Sequence, residues 1–172
     1  GFITLMKNIP TTMLQLGVTQ FFSWAALFLM WNYLKPLITS SFIDAAGTMV
    51  NTGAAETWTG VLNAVYPVPA CIASIVMTQI ANRFGNKPVY AACLLSGALG
   101  YLGLTLIDNQ YLMMIPMVFI GIAWAGILAM PYSILSRAID ARSSGAYMGI
   151  FNFTITIPQI VMGLVGGSIV LA

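Results

Sequence analysis

Histidine is missing from this sequence, cysteine occurs twice, and only 6% of the residues are charged. Each shortage closes a class of function. Cys71 and Cys93 both sit inside apolar runs, where thiols pack rather than ligate or pair, so neither a metal site nor a disulfide is expected, and no cofactor. A net charge of +2 is too small for nucleic-acid binding. A chain that is 59% hydrophobic, with a mean hydropathy of +0.91, is no ordinary soluble domain. It opens on Gly1 rather than Met and carries no cleavable signal pattern, and it is read as a piece of a longer polypeptide.

What the sequence has is long apolar runs. A bilayer takes about 20 helical residues to cross, and five runs suit that length: about 12–34, 57–80, 89–107, 112–135 and 145–171. The expected fold is therefore an all-α membrane protein. Residues 1–11 read as a polar lead-in, and Lys35-Pro36 should end the first span, because proline disfavours helix at the residue before it. Asp44 and Glu56 fall in a loop from Leu37 to Glu56. Pro67 and Pro69, mid-way along the second span, predict a kink. The third span is the least polar; its Gly97, Gly100 and Gly103 read as packing sites on a lipid-facing helix. Asp108-Asn109-Gln110 is a tight reversal.

The loop charges give an orientation. Lys7, Arg83, Lys87, Arg137 and Arg142 fall on one side, and Lys35 alone on the other, beside Asp44, Glu56 and Asp108. Lys and Arg accumulate on the cytoplasmic face, so the N-terminus is placed inside and Ala172 outside.

The run Gly149 to Ile160 has an earlier counterpart. GVLNAVYPVP from Gly60 aligns without a gap on GIFNFTITIP from Gly149, sharing Gly, Asn and Pro. Trp24 to Met30 aligns equally well on Trp124 to Met130. Two segments each have a later partner in the same order, which is internal duplication. Trp24 lies on an outward-going span and Trp124 on an inward-going one, so the repeats are opposite in topology. Inverted repeats of three plus three helices, nested in a six-helix half, are a transporter architecture. Spans one to three would then be repeated by four and five, with a sixth to follow.

Several segments carry a family resemblance: Leu16 to Trp24 (LGVTQFFSW), Met130 to Ser136 (MPYSILS), Tyr147 to Phe153 (YMGIFNF) and Ile157 to Ile160 (IPQI). They resemble the major facilitator superfamily, and within it the glycoside–pentoside–hexuronide branch and its sucrose/maltose proton-symporter-like group. The resemblance covers nearly the whole chain and maps it to helices seven to eleven of twelve. The turn at Asn82 to Lys87 resembles the superfamily's cytoplasmic loop motif, G-x-x-x-D-R-x-G-R-K. Arg83, Gly85 and Lys87 match it, whereas Thr78, Asn82 and Asn86 stand for Gly, Asp and Arg. The lost carboxylate removes the usual ion-pair latch, although Asn82 can still cap a helix end.

No span carries an ionisable residue near its centre, where such residues mark proton and ion paths. The spans offer instead neutral hydrogen-bonding groups and aromatics: Gln20, Trp24, Asn63, Tyr66, Trp124, Tyr132, Asn152 and Gln159. Asn152, Thr156 and Gln159 share one helical face. Amides pair with hydroxyls and indole faces cover the C–H face of a pyranose, so this set suits a neutral sugar or glycoside rather than an anion. Each residue also has a plainer reading. Gln20 serves equally as interhelical glue, Asn63 and Asn152 as a shared structural hydrogen bond, and Tyr132 as packing beside Pro131. Trp24 and Trp124 lie mid-span, away from the interfacial belts, whereas Trp31 and Trp58 lie near span ends and read as belt anchors.

The expected partners are a small neutral solute, the lipid bilayer and an N-terminal six-helix half of the same chain. The resemblance implies that a carboxylate in that half couples transport to protons. A carrier of another neutral solute, or a channel or receptor on the same fold, stays open as an alternative. An intramembrane enzyme would need His, Cys or carboxylate chemistry at depth, and the two cysteines read as packing thiols. The orientation predicts that a cysteine placed near Asn109 reacts with an impermeant thiol reagent added outside and one near Asn86 does not. The reverse labelling pattern would refute it.

Overall fold

The computed structural model describes residues 2–41 and 52–170, and among them helices dominate and strands are absent. The helices are α1 (Phe2–Lys7), α2 (Thr11–Ser41), α3 (Thr52–Val65), α4 (Pro67–Phe84), α5 (Asn86–Leu106), α6 (Met114–Ser136), α7 (Ser144–Phe151) and α8 (Phe153–Val170), with a short 3-10 turn at Ala141–Ser143. Five stretches are long and apolar enough to cross a bilayer: Thr11–Ser40, Ala55–Phe84, Asn86–Leu106, Met114–Ser136 and Ala141–Ile169. Asp44, Gly1 and Ala172 lie outside the described residues.

One local expectation is overturned, at Pro36. The polar lead-in is not only a connection: residues 2–7 form α1, and the Tyr147 hydroxyl donates to the Asn8 carbonyl at 3.1 Å and the Leu5 carbonyl at 3.5 Å. Those carbonyls belong to the helix end, which has no internal donors left. Nor does the first span stop at Pro36; α2 runs through it to Ser41. Proline removes one donor, toward Asn32, but its fixed φ is helical and the bonds on either side survive. Beyond it, the Ser40 hydroxyl donates to the Leu37 carbonyl at 2.7 Å. Lys35 Nζ meets Glu56 Oε1 at 2.6 Å, tying α2 to the first turns of α3.

The second span is interrupted where the prolines predict. Pro67 and Pro69 cannot donate to the Asn63 and Val65 carbonyls, and Tyr66 stands alone between α3 and α4 with φ −65° and ψ −28°. The fifth span is interrupted too, at Asn152 between α7 and α8. The aligned repeats share burial as well as sequence. From Gly60 to Val68 against Gly149 to Ile157, every pair has the same burial class except one, Asn63 being half-buried and Asn152 exposed. Leu62 and Phe151 are both fully buried. In the other pair, Ala25, Leu27 and Met30 match Ala125, Ile127 and Met130, all buried.

The chain packs as two units: one holds the described residues up to Met30 and from Met130 onward, the other Trp31–Ala129. In the second unit the glycine row of α5 meets α6. A Cβ at Gly97 would lie 2.8 Å from the Ala123 Cβ, one at Gly100 2.7 Å from Ile120, and one at Gly103 2.7 Å from Pro116. The leucines at 95, 99, 102 and 106 are all exposed, so α5 turns small residues to protein and leucines to lipid, as a peripheral helix should. In the first unit Phe151, fully buried, stacks edge-on against Tyr132 with ring centroids 5.4 Å apart. Gly17 closes on Thr154, where a Cβ would lie 3.5 Å from the methyl.

The turn between α4 and α5 rests on Gly85, at φ 92° and ψ 157°, a region open to glycine and hardly to any other residue. Asn82 lies exposed in the last turn of α4 and Asn86 is buried at the start of α5. Arg83 spreads over the Phe84 ring at 5.4 Å. Gly85→Ala is expected to cost about 1–3 kcal/mol, read as a lower unfolding midpoint of the purified protein. Gly60→Ala, whose Cβ would meet nothing within 4 Å, is the control and should not destabilise. Equal behaviour of the two variants would contradict the strained-turn account.

Candidate functional site

The eight side chains singled out in the sequence divide between the two units, Gln20, Trp24, Tyr132, Asn152 and Gln159 in one and Asn63, Tyr66 and Trp124 in the other. The structure brings them together in smaller sets, and the most organised lies in the Trp31–Ala129 unit. Tyr66, set at the break between α3 and α4, faces α6. Trp124 of α6 lies edge-on to it with centroids 6.4 Å apart and planes at 88°. The third member is Trp31, from α2, whose indole Nε1–H donates to the Tyr66 hydroxyl at 3.2 Å and whose ring meets Trp124 at 5.3 Å and 79°. Edge-to-face pairs of this kind place a positive ring edge on a negative face. All three rings are half-buried, and so is Asn63, one turn before Tyr66.

Trp31 is the residue that sequence reasoning assigned elsewhere. Its place near the end of an expected span suggested an interfacial anchor. Because α2 runs on past Pro36, Trp31 instead lies well inside the helix. Trp58 lies in the middle of α3, where its indole donates to the Gln110 carbonyl at 2.9 Å and its ring meets Tyr111 at 5.4 Å. The Gln110 carbonyl belongs to the turn before α6, which Asn109 organises by accepting from the Tyr111 and Leu112 amides at 2.9 and 3.2 Å.

In the other unit, Tyr132 and Asn152 meet. The Tyr132 hydroxyl donates to the Asn152 side-chain carbonyl, at the break between α7 and α8. Pro131 before it is fully buried. Asn152 and Thr156 are exposed and Gln159 half-buried, so the shared polar face is open, while Phe151 and Pro158 turn to the interior. Gln20 and Trp24, one turn apart on α2, are both buried, at 0% and 6% exposure. The pairing of Trp24 with Trp124 in sequence therefore does not carry over to accessibility: one indole is enclosed and the other half-open.

A groove of about 420 Å³ runs along the same unit, lined by Ile9, Met13, Val18, Phe22, Phe151 and Thr154 among others. It contains none of the eight residues, and its apolar wall suits acyl chains rather than hydroxyls. Among the described residues no three His, Cys, Asp or Glu side chains gather as a metal site would require.

A family model described as Major Facilitator Superfamily matches residues 16–172. No curated protein and no solved structure matches the chain.

Tyr132 and Asn152 should be energetically coupled. Hydrogen bonds between membrane helices are worth about 0.6 kcal/mol on average and about 1.7 at most, and the cycle Tyr132→Phe, Asn152→Ala and their double variant is expected to give a coupling in that range. Strictly additive unfolding free energies would show that the two side chains do not interact.

Proposed function

The chain belongs to the Major Facilitator Superfamily, and from that premise we propose that it is part of a secondary transporter that moves a neutral sugar or glycoside by alternating access. It is a multi-pass integral membrane protein of a transporter family. The sugar is our reading, and the glycoside–pentoside–hexuronide branch is the subfamily that the motifs at Met130 to Ser136 and Gly149 to Ile160 favour. In this reading the protein lies in the inner or plasma membrane with its N-terminal side cytoplasmic. The described spans form inverted repeats, and an N-terminal half of the same polypeptide supplies the proton-coupling carboxylate.

The observation that carries the reading is the corner made by Trp31, Tyr66 and Trp124, beside Asn63. Three rings and a hydroxyl meet at an interrupted helix, and irregular backbone at membrane depth is tolerated where it lines a cavity or is covered by protein. The corner contains no ionisable group that would demand a counter-charge. Rings cover the C–H face of a sugar, while Tyr66 and Asn63 answer its hydroxyls. Tyr132, Asn152 and Gln159 offer a second neutral polar face. Gln20 and Trp24, being enclosed, contribute to packing in this conformation.

Proteoliposomes containing the full-length transporter are expected to accumulate radiolabelled maltose or sucrose when a proton gradient is imposed. Trp124→Ala should weaken equilibrium binding by on the order of 1–3 kcal/mol through the lost ring. Trp24→Ala should instead lower the unfolding midpoint and leave the dissociation constant of the folded fraction unchanged. Failure of either sugar to bind or enter would overturn the reading, and an unaltered dissociation constant in Trp124→Ala would remove that ring from the site.

A further inference from the structure

The sugar-carrier reading leaves open which atom of the solute is read, and the Tyr66 corner answers in part. Three observations meet there. The Trp31 indole can only donate, and its Nε1–H points at the Tyr66 oxygen over 3.2 Å. A phenol oxygen that accepts from one side directs its own proton elsewhere, so Trp31 fixes the sense of the Tyr66 hydroxyl: it is presented as a donor. Trp124, perpendicular to both rings, keeps the phenol from swinging out of that line.

The second observation is backbone geometry. Tyr66 is the single residue between α3 and α4, its place set by Pro67 and Pro69. Its carbonyl accepts from the Ala70 amide at 3.3 Å, so α4 starts on Tyr66 itself. The side chain is therefore mounted on a fixed junction rather than on a fraying end.

The third is Gly121. A Cβ there would collide with the Tyr66 carbonyl oxygen and lie 2.7 Å from Pro69 Cγ. Gly121 and Trp124 stand three apart on α6, on one helical face. The face that presents Trp124 to Tyr66 is the same face that must lack a side chain one turn earlier for the Tyr66 backbone to approach. Ring contact and backbone approach are thus a single arrangement, and neither survives without the glycine.

We propose that Tyr66 is the donor that selects an acceptor oxygen of the solute, with Trp31 and Gly121 as positioning residues that orient it. This rests on the sugar-carrier reading, and it narrows the substrate class. The solute must present, beside a flat C–H face, a hydroxyl or ether oxygen used as an acceptor. Replacing that oxygen by hydrogen removes the acceptor. Replacing it by fluorine keeps a weak acceptor and removes any donor.

The test uses the full-length transporter purified in detergent, with maltose and its mono-deoxy and mono-deoxyfluoro series as probes. At one ring position the deoxy sugar should bind about threefold to tenfold more weakly than maltose, the range of one lost hydrogen bond, with the fluoro sugar in between. Tyr66→Phe should abolish that discrimination. Trp31→Phe, which keeps a ring and loses the N–H, should reduce it without loss of fold. Gly121→Ala should behave like Tyr66→Phe, whereas Gly103→Ala, whose Cβ would meet Pro116 at 2.7 Å, five residues before Gly121 on α6, should lower stability and leave the discrimination intact. A fluoro sugar no better than the deoxy sugar at every position, or discrimination that persists in Tyr66→Phe, overturns the assignment even where maltose binds well. If no member of the series binds, the sugar reading itself falls and this assignment with it.

Discussion

The bilayer imposes one demand on which the rest of this structure depends: every backbone N–H and C=O that enters hydrocarbon must find its partner inside the protein. Helix answers that demand along nearly the whole described chain, which is why a sequence with so few charges folds at all. Proline makes the exceptions, since Pro36, Pro67, Pro69, Pro131 and Pro158 each leave a carbonyl without its amide, and two spans are interrupted, at Tyr66 and at Asn152. Both bear polar side chains, and both side chains engage a partner from another helix: Tyr66 with Trp31, Asn152 with Tyr132.

Small residues then decide how closely the helices can lie. The α5 glycine row seats α5 on α6 with no side chain between them, and the leucines on the other side of α5 stay exposed. Gly121 does the same for the interrupted second span. Van der Waals contact of this kind has to hold membrane helices together, because lipid gives no hydrophobic reward for burying a leucine against another leucine. The functional consequence is that a neutral, aromatic corner is held in place without any charge at depth. The proposal assigns to this chain recognition of a neutral solute and leaves the charge movements that drive accumulation to other parts of the carrier.

Much of the fold was legible beforehand, because length and hydropathy identify spans and the Pro67 and Pro69 pair identifies the break in the second. The duplication is read from Gly, Asn and Pro, and the burial classes of the aligned stretches run parallel at residues as cheap in sequence as Leu62 and Phe151 while differing at the Asn and Pro pairs. Pro36 misled, since a terminal-looking Lys-Pro pair sits inside a helix that continues for another turn and more. That error displaced Trp31 from the middle of a helix to its end and hid the corner with Tyr66 and Trp124. No one-dimensional signal reports that two indoles and a phenol from three helices converge. The contrast between Trp24 and Trp124 was equally hidden: their sequences align, but 6% exposure for one and a half-open ring for the other come from different neighbours.

The central claim is that recognition here is neutral, by rings and uncharged hydrogen-bonding groups. Isothermal titration of the purified full-length protein with maltose and, side by side, with its uronic acid, in which C6 of the non-reducing ring is a carboxylate, measures it most directly, because both ligands keep two pyranose rings and differ in that one group. The account predicts that maltose binds and that the acid binds at least about tenfold more weakly, since nothing in the corner compensates a desolvated anion. Equal or tighter binding of the uronic acid would contradict it.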